Sequence, residues 1–184
     1  PMARLTWARL LRRLSQAEPK VIAVDAWFEN PAPRQDVELA LDVADFLRAT
    51  SFVDKPMGKM FVEDLEGRAI THDGDRQLAQ ALAEAGNVVL GASCLNEGKQ
   101  IFEQVYWNNL PVLDKVVVHA PLQCGRISTS ISQIASAAQS QAFLNIEAES
   151  DGVVRHYPLF LKTEKGHHPS FALGIAAVAE PEMM

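Results

Sequence analysis

Two predicted strands made almost entirely of apolar residues constrain the fold of this chain more than any other feature. One is Val21–Val24, and the other lies within Asn87–Ala92. Such runs lack the alternation of polar and apolar residues found in half-exposed strands, and they are typical of strands covered on both faces. A helix predicted over Arg76–Ala85 precedes the second run, as in a crossover connection. The sequence therefore predicts an α/β fold whose central mixed sheet carries helices on both faces.

Helices are also predicted in four other places: Leu5–Ala17, Asp36–Leu47, Ser130–Ser140 and Ser170–Ala179. Asp75 is the predicted N-cap of the helix over Arg76–Ala85, and Gly86 is its predicted stop. Thr50–Thr71 contains Pro56, Gly58 and Gly67, which predicts a loop with short extended pieces. A further strand is predicted over Lys115–His119.

The C-terminal part of the chain carries a turn signal. Ser150-Asp151-Gly152 supplies the residues that a tight reversal demands. Apolar residues before and after it predict an antiparallel hairpin from Ala142 to Leu161, with Phe143, Asn145 and Glu147 on one side of its first strand. Arg155 follows the glycine closely enough to fold back onto the carboxylate of Asp151. The residues Asp151 and Gly152 are therefore interpreted as a structural turn.

Length and charge narrow the classes of function. The chain has 184 residues, enough for one large domain with a proper core, and we predict a single domain over residues 1–184. Its net charge is −6 and its pI is about 5.3. A nucleic-acid surface needs a concentrated basic face, so this balance argues against a nucleic-acid partner and disfavours binding to anionic lipid.

Three carboxylates are candidates for a polar or cationic ligand. Asp25 follows the first buried strand, Glu29 comes four residues later, and Asp75 opens a helix of the same sheet. Ligands of open α/β sheets bind beyond the carboxyl ends of the strands. The structural alternatives are a helix cap for Asp75, and for Asp25 a bond to loop amides or an ion pair with Arg4 or Arg155.

Motifs for catalysis or metal binding are weak. His72-Asp73-Gly74-Asp75 lacks the ligand spacing of a calcium loop and is interpreted as a turn. His167-His168-Pro169 is interpreted as a loop before a helix. A nucleophile elbow and a phosphate-binding glycine loop are both missing. We therefore predict no catalytic residues, no metal and no cofactor.

The two cysteines, Cys94 and Cys124, are too few for a disulfide scaffold and do not have the spacing of a zinc site. Each follows an apolar run, so buried thiols are the default interpretation. A Cys94–Cys124 bridge is the alternative if the domain is periplasmic. The sequence leaves this choice open.

An ordered set of segments resembles the CHASE2 domain, an extracytoplasmic sensor module of bacterial membrane receptors. These segments span most of the chain in the order of the family: Pro1-Met-Ala-Arg4 before a helix, Val21-Ile-Ala-Val-Asp25 followed by Trp27-Phe28, the helix and strand from Asp75 to Gly91, and the stretch from Ala142 through Arg155 to the helix after His168-Pro169. Two features depart from the family. The first strand of the family would lie before Pro1 and is absent from this sequence, and the segment from 30 to 71 is longer than expected for the family. Because Pro1 precedes Met2, we also expect a piece of a longer protein.

The resemblance implies a non-catalytic sensor on the periplasmic, extracytoplasmic face of the inner membrane. It also implies flanking membrane helices, an unknown small ligand, a possible homodimer, and a nucleotide cyclase, histidine kinase or Ser/Thr kinase as the output of the parent receptor. We predict that the ligand is bound by Asp25, Glu29, Asp75, Arg155 and Arg4, with residues 30–71 as an insertion or mobile cover. The alternatives are a metal-dependent hydrolase using Asp25, Glu29 and Asp75, and a pure dimerisation module.

Overall fold

A mixed sheet lies at the centre of the molecule. In a computed structural model that describes residues 2–95, 122–124, 126–146, 148–163 and 166–183, strand β2 (Val88–Leu95) is the central strand. It pairs in parallel with β1 (Ile22–Val24) and with β5 (Ser140–Phe143). Its last residues pair antiparallel with β4 (Arg126–Ser128). The predicted strand at Lys115–His119 lies outside the described residues.

Helices cover both faces of this sheet, as predicted. On one face, α1 (Arg4–Ser15), α4 (Gly74–Ala85) and the short α5 (Ser132–Ala135) enclose a core with the apolar side chains of β1 and β2. On the other face, α6 (Phe171–Ala179) packs on β5 and β2. Gly174 permits this approach, because a Cβ there would lie 2.6 Å from the Cβ of Ala142. The helix predicted over Ser130–Ser140 is limited to α5, since Ser140 already belongs to β5.

The first turn of α4 corrects one prediction. Asp73, and not Asp75, is the N-cap: its carboxylate accepts a hydrogen bond from the backbone N–H of Arg76 at 3.2 Å. Asp75 lies inside the first turn and is buried. Both aspartates are suitable N-cap residues at the start of this helix. Which of them caps the helix is determined by the long-range partners described below. Gly86 ends the helix with φ +69°, as predicted.

Residues 35–72 form a pair of antiparallel helices that we call the arm. It consists of α2 (Gln35–Arg48), a 3-10 turn (Ser51–Asp54) and α3 (Pro56–His72). The helix predicted over Asp36–Leu47 is confirmed, but the loop predicted over Thr50–Thr71 is wrong. Pro56 occupies the first helical position, where a missing N–H costs nothing. Gly58 fits against Phe52, because a Cβ there would lie 1.9 Å from the Phe52 carbonyl oxygen.

The C-terminal antiparallel hairpin is present, at a different place from the one predicted. It is formed by β6 (Phe160–Thr163) and β7 (Gly166–Pro169), and β3 (Leu122–Gln123) adds to β6 in parallel. His167-His168-Pro169 is therefore part of a strand and not of a loop. The proposed first strand of the hairpin is β5, which pairs with β2 instead. Glu147 lies outside the described residues.

The chain does reverse at the predicted turn. The N–H of Glu149 donates to the carbonyl of Val153 at 3.0 Å, and the N–H of Gly152 donates to the carbonyl of Glu149 at 2.8 Å. The described residues from 148 to 157 are all exposed. Turn residues determine only the reversal, whereas a ladder of strands also needs a face to bury, and this segment has none.

The side chain of Asn145 extends the sheet beyond β5. Its amide nitrogen donates to the carbonyl of Cys94 at 2.8 Å, and its amide oxygen accepts from the N–H of Cys94 at 2.6 Å. This side chain thereby satisfies both backbone groups of Cys94 in the way that a neighbouring strand would.

Candidate functional site

An open cleft lies where the chain leaves the carboxyl end of β1. It encloses about 800 Å³ between the start of α1, the loop from Trp27 to Pro33, and the junction of α3 with α4. Most of its walls are apolar, and its polar side chains come from Arg4, Glu29, Asn30 and His72. The position beyond the end of a sheet strand and the size of the cleft are those of a small-molecule site.

Arg4 organises one wall of this cleft. Its Nε donates to Asp75 Oδ1 at 2.9 Å, and its Nη2 donates to the carbonyl oxygen of Asn30 at 2.7 Å. Its guanidinium also lies over the ring of Phe28, with 4.4 Å between Cζ and the ring centroid. Stacking and forked hydrogen bonding fix the guanidinium in place, which a lysine could not reproduce.

Asp75 is the buried partner in this network. Its second oxygen, Oδ2, accepts a hydrogen bond from the N–H of Ala32 at 2.8 Å. A buried carboxylate needs such compensation, because its removal from water is costly. Asp75 thus joins α1, the loop after β1 and the first turn of α4. The helix dipole adds to this stabilisation, since an acidic group is favoured at the N-terminus of a helix.

A second ion pair lies at the base of the arm. Arg34 Nη2 donates to Asp73 Oδ2 at 2.7 Å, and Asp73 is the same residue that caps α4. Arg4 and Arg34 therefore both bind carboxylates of the α3–α4 junction. These contacts connect the floor of the cleft to the point where the arm leaves the body.

The structure brings together only some of the predicted ligand residues. Arg4 and Glu29 line the cleft, and Asp75 supports it through Arg4 and Ala32. Asp25 is exposed and does not belong to the lining. Of the two ion pairs considered for Asp25, neither is formed: Arg4 binds Asp75, and Arg155 binds Asp151 and Glu149.

Arg155 lies in the exposed turn and away from the cleft. Its guanidinium contacts Glu149 at 2.9 Å and Asp151 at 2.8 Å, so the predicted fold-back onto the turn carboxylate is confirmed. The hydrogen bond from Arg155 lowers the pKa of the Asp151 carboxyl, and the bond from the N–H of Val153 lowers it further. The same pairing raises the pKa of Arg155.

The carboxylates of the hydrolase alternative do not form a metal centre. Among the described residues, which include Asp25, Glu29 and Asp75, we find no group of three or more His, Cys, Asp or Glu side chains placed to hold a metal ion. Asp75 has its two oxygens engaged by Arg4 and Ala32. This arrangement favours a structural role for the Asp75 carboxylate over a metal-binding role.

Sequence reasoning missed the apolar part of the cleft. Trp27, Pro31 and Pro33 provide much of its wall, and His72 reaches it from the end of α3. The signal was an aromatic pair followed by two prolines in a segment without helical or strand periodicity. Such a segment places apolar groups on a loop, where they are available to a ligand.

Cys94 and Cys124 form a disulfide, with 5.6 Å between their Cα atoms. The sequence left this choice open, and the fold decides it. β4 pairs with the end of β2, and β3 pairs with β6. Cys124 lies between β3 and β4, which places it next to Cys94.

No helix in the described part of the chain combines the length and the apolarity that a membrane crossing requires.

An α/β domain with a ligand-sized cleft beyond the end of a sheet strand has the features of a binding or sensing module. The comparisons specify the family: the chain belongs to the CHASE2 domain family, whose model matches residues 1–183. CHASE2 domains are extracellular sensor modules of membrane receptors and are not catalytic. The resemblance seen in the sequence is therefore confirmed. No curated protein and no solved structure matches the chain.

Proposed function

We propose that this domain is the extracytoplasmic sensor of a bacterial membrane receptor and that it binds a small ligand in the cleft beside Arg4. The observation that carries the proposal is the cleft itself, placed beyond the end of β1 in a chain whose family senses signals. Three of the predicted ligand residues, Arg4, Glu29 and Asp75, line or support it. Asp25 and Arg155, which lie elsewhere, are not included in the proposed site.

The disulfide supports the proposed location. Disulfides persist in oxidising compartments such as the periplasm and are rare in the cytosol. The Cys94–Cys124 bridge therefore agrees with a domain on the outer face of the inner membrane. We propose a nucleotide cyclase or a kinase as the output of the parent receptor, and the family match is the only support for this part of the proposal.

The chemistry of the walls suggests the class of ligand. Trp27, Pro31 and Pro33 offer apolar and aromatic surface, which favours a flat or apolar molecular body. The guanidinium of Arg4 has more N–H donors than the two bonded to Asp75 and Asn30, and Glu29 and His72 add polar groups. We therefore propose a small organic molecule with an apolar body and at least one hydrogen-bonding group.

Ligand binding there has a direct route to a conformational change. His72 and Gly74 line the cleft and also form the junction between α3 and α4. A ligand that contacts them in one arrangement of the arm and not in another shifts the balance between the two. In this proposal the arm is the mobile cover that the sequence predicted within residues 30–71.

A thermal-shift screen of the purified domain against amino acids, nucleotides, sugars and organic acids, with and without chelator, tests the proposal. A ligand found in this way is then tested on Glu29→Gln and on Asp25→Asn, a matched pair of exposed carboxylates inside and outside the cleft. We expect Glu29→Gln and Trp27→Leu to weaken the stabilisation and Asp25→Asn to leave it unchanged. The reverse result would place the site at the strand end near Asp25.

A further inference from the structure

Helix α1 concentrates positive charge in a chain that is acidic as a whole. Its twelve residues include Arg4, Arg9, Arg12 and Arg13 and no acidic residue, whereas the net charge of the chain is −6. Like charges three or four residues apart on a helix repel each other. An anionic group beside these arginines therefore stabilises the helix.

The arginines of α1 differ in how far their charge is already offset. Arg4 is paired with Asp75, as described above, and Arg12 Nε donates to Glu84 Oε2 at 2.9 Å. Arg9 forms neither a hydrogen bond nor an ion pair with any described residue. The guanidinium of Arg9 is therefore a charge for which the described part of the chain supplies no partner.

A small pocket lies beside Arg9 and Arg12. It encloses about 270 Å³ between one side of α1, the last turn of α3 and the first turn of α4. Its polar walls come from Arg9, Arg12, Thr71, His72 and Gln77, and none of the described carboxylates lines it. The pocket is therefore a concave site whose permanent charges are all positive.

The volume of the pocket selects a small ligand. A water molecule takes up about 30 Å³ of the liquid, and sites for drug-sized molecules enclose about 300–1,000 Å³. The pocket of about 270 Å³ is therefore large enough for a carboxylate or phosphate group with part of its hydration shell. The net charge of −6 disfavours an extended polyanion such as a nucleic acid or an anionic lipid surface.

The hydrogen-bond donors of the pocket suit the oxygen atoms of such a group. Arg9 and Arg12 are three residues apart on α1, so they lie on the same side of the helix. Guanidinium groups match carboxylate and phosphate oxygens with two parallel N–H groups. Arg12 uses Nε for Glu84 and one N–H of Nη2 for Gln77 Oε1 at 3.4 Å, which leaves its other N–H groups for a ligand.

We propose that this pocket binds a small oxyanion, a carboxylate or phosphate group, between Arg9 and Arg12. Arg9 supplies the charge that has no partner, and Glu84 positions Arg12. The amide nitrogen of Gln77 is a further donor, since only the oxygen of that amide is bonded to Arg12. Because Leu5 and His72 line both this pocket and the cleft, a bound anion lies beside a ligand in the cleft. The proposal concerns a separate pocket and does not depend on the proposed ligand site.

NMR titration of the purified domain tests the pocket. The side-chain Nε–Hε resonances of the arginines are followed at mildly acidic pH while sodium phosphate, or in a second series sodium acetate, replaces sodium chloride at constant ionic strength. The resonances of Arg9 and Arg12 should move together and saturate with one Kd in the millimolar range. Saturation by phosphate alone, by acetate alone or by both supports the pocket and names the group that it accepts.

Arg9→Gln removes the unpaired charge and should raise the Kd, read from the Arg12 resonance, by about tenfold or more. The matched control is Arg13→Gln, which removes an exposed arginine of the same helix that does not line the pocket. It should change the Kd by less than about twofold, because exposed charges outside a site are screened by salt. Both side chains are exposed, so the backbone spectrum of each variant should show an unchanged fold.

Three results would overturn the proposal. The first is the absence of a saturable shift at Arg9 and Arg12 up to about 100 mM of either anion, well above a millimolar Kd. The second is an equal rise of the Kd in Arg9→Gln and Arg13→Gln, which would show a general attraction of anions to α1. The third is a saturable shift at Arg4 without one at Arg9, which would place the anion in the cleft.

Discussion

Helix α4 and the arm both contain many apolar residues, but they bury them to different extents. In α4 the apolar residues Leu78, Ala81 and Leu82 are buried against the sheet, while Arg76, Gln80 and Glu84 face solvent. In the arm, apolar residues occupy both the inner and the outer faces of the helices. The comparison teaches that packing against the sheet explains the pattern of α4, whereas in the described part of the chain the outer apolar residues of the arm remain exposed.

The strongest test of this contrast compares Leu82→Ala in the body with Phe46→Ala in the arm. Leu82 is fully buried, so its truncation leaves a cavity and should lower the free energy of unfolding by about 3 kcal/mol. Phe46 is 70% exposed, and its truncation should change the stability of the monomer by less than about 0.5 kcal/mol. Urea denaturation of the two variants and the wild type measures both losses. Equal losses would mean that the outer face of the arm is covered within the monomer.

Removal of the disulfide should have the next largest effect. Cys94 and Cys124 are separated by 30 residues, and closing a loop of this length stabilises the folded state by about 3 kcal/mol. The double variant Cys94→Ala, Cys124→Ala should lose this amount in urea denaturation. A loss of less than about 1 kcal/mol would contradict a stabilising role of the bridge.

A smaller effect is expected where the arm joins the body. Asp75→Asn removes the charge that pairs with Arg4 in a partly buried site, and should cost about 2 kcal/mol. Arg34→Ala breaks the pair with Asp73 at the arm base, where Arg34 is 44% exposed, and should cost less than about 1 kcal/mol. Thermal unfolding of both variants checks the order. A larger loss in Arg34→Ala would show that the arm base is the firmer of the two junctions.

The smallest effect concerns the exposed turn. Because Arg155 lowers the pKa of Asp151, the pair stabilises the fold above the ordinary pKa of an aspartate, and this stabilisation is lost as the pH falls through the lowered pKa. The carboxyl carbon resonance of Asp151, followed by NMR between neutral and acidic pH, should titrate at a lower pH in the wild type than in Arg155→Ala. Identical titration curves would contradict the ion pair.

Local patterns in the sequence predicted the body well. The two apolar strands, the helix before the second one and its glycine stop depend on residues close together in the chain, and all are present. Asp75 shows the limit of such reasoning. Its partner Arg4 lies 71 residues away, so no local pattern could show that Asp73 caps the helix and Asp75 pairs with the arginine.

The prediction of a loop in the second half of the arm and the predicted position of the hairpin were wrong for related reasons. Pro56 and Gly58 have the properties of helix breakers, yet one occupies the position that proline favours and the other makes room for Phe52. Ser150-Asp151-Gly152 did encode a reversal, but pairing of the flanking segments depends on what they could cover. The cleft depends on a meeting of α1, the loop after β1 and the end of α3, which only the tertiary fold determines.

The side chain of Asn145 has a consequence for how this domain can associate. Open strand edges expose unpaired N–H and C=O groups, through which chains add strands to one another and aggregate. At Cys94 the amide of Asn145 already occupies both groups. The central strand is therefore sealed against an incoming strand at this position.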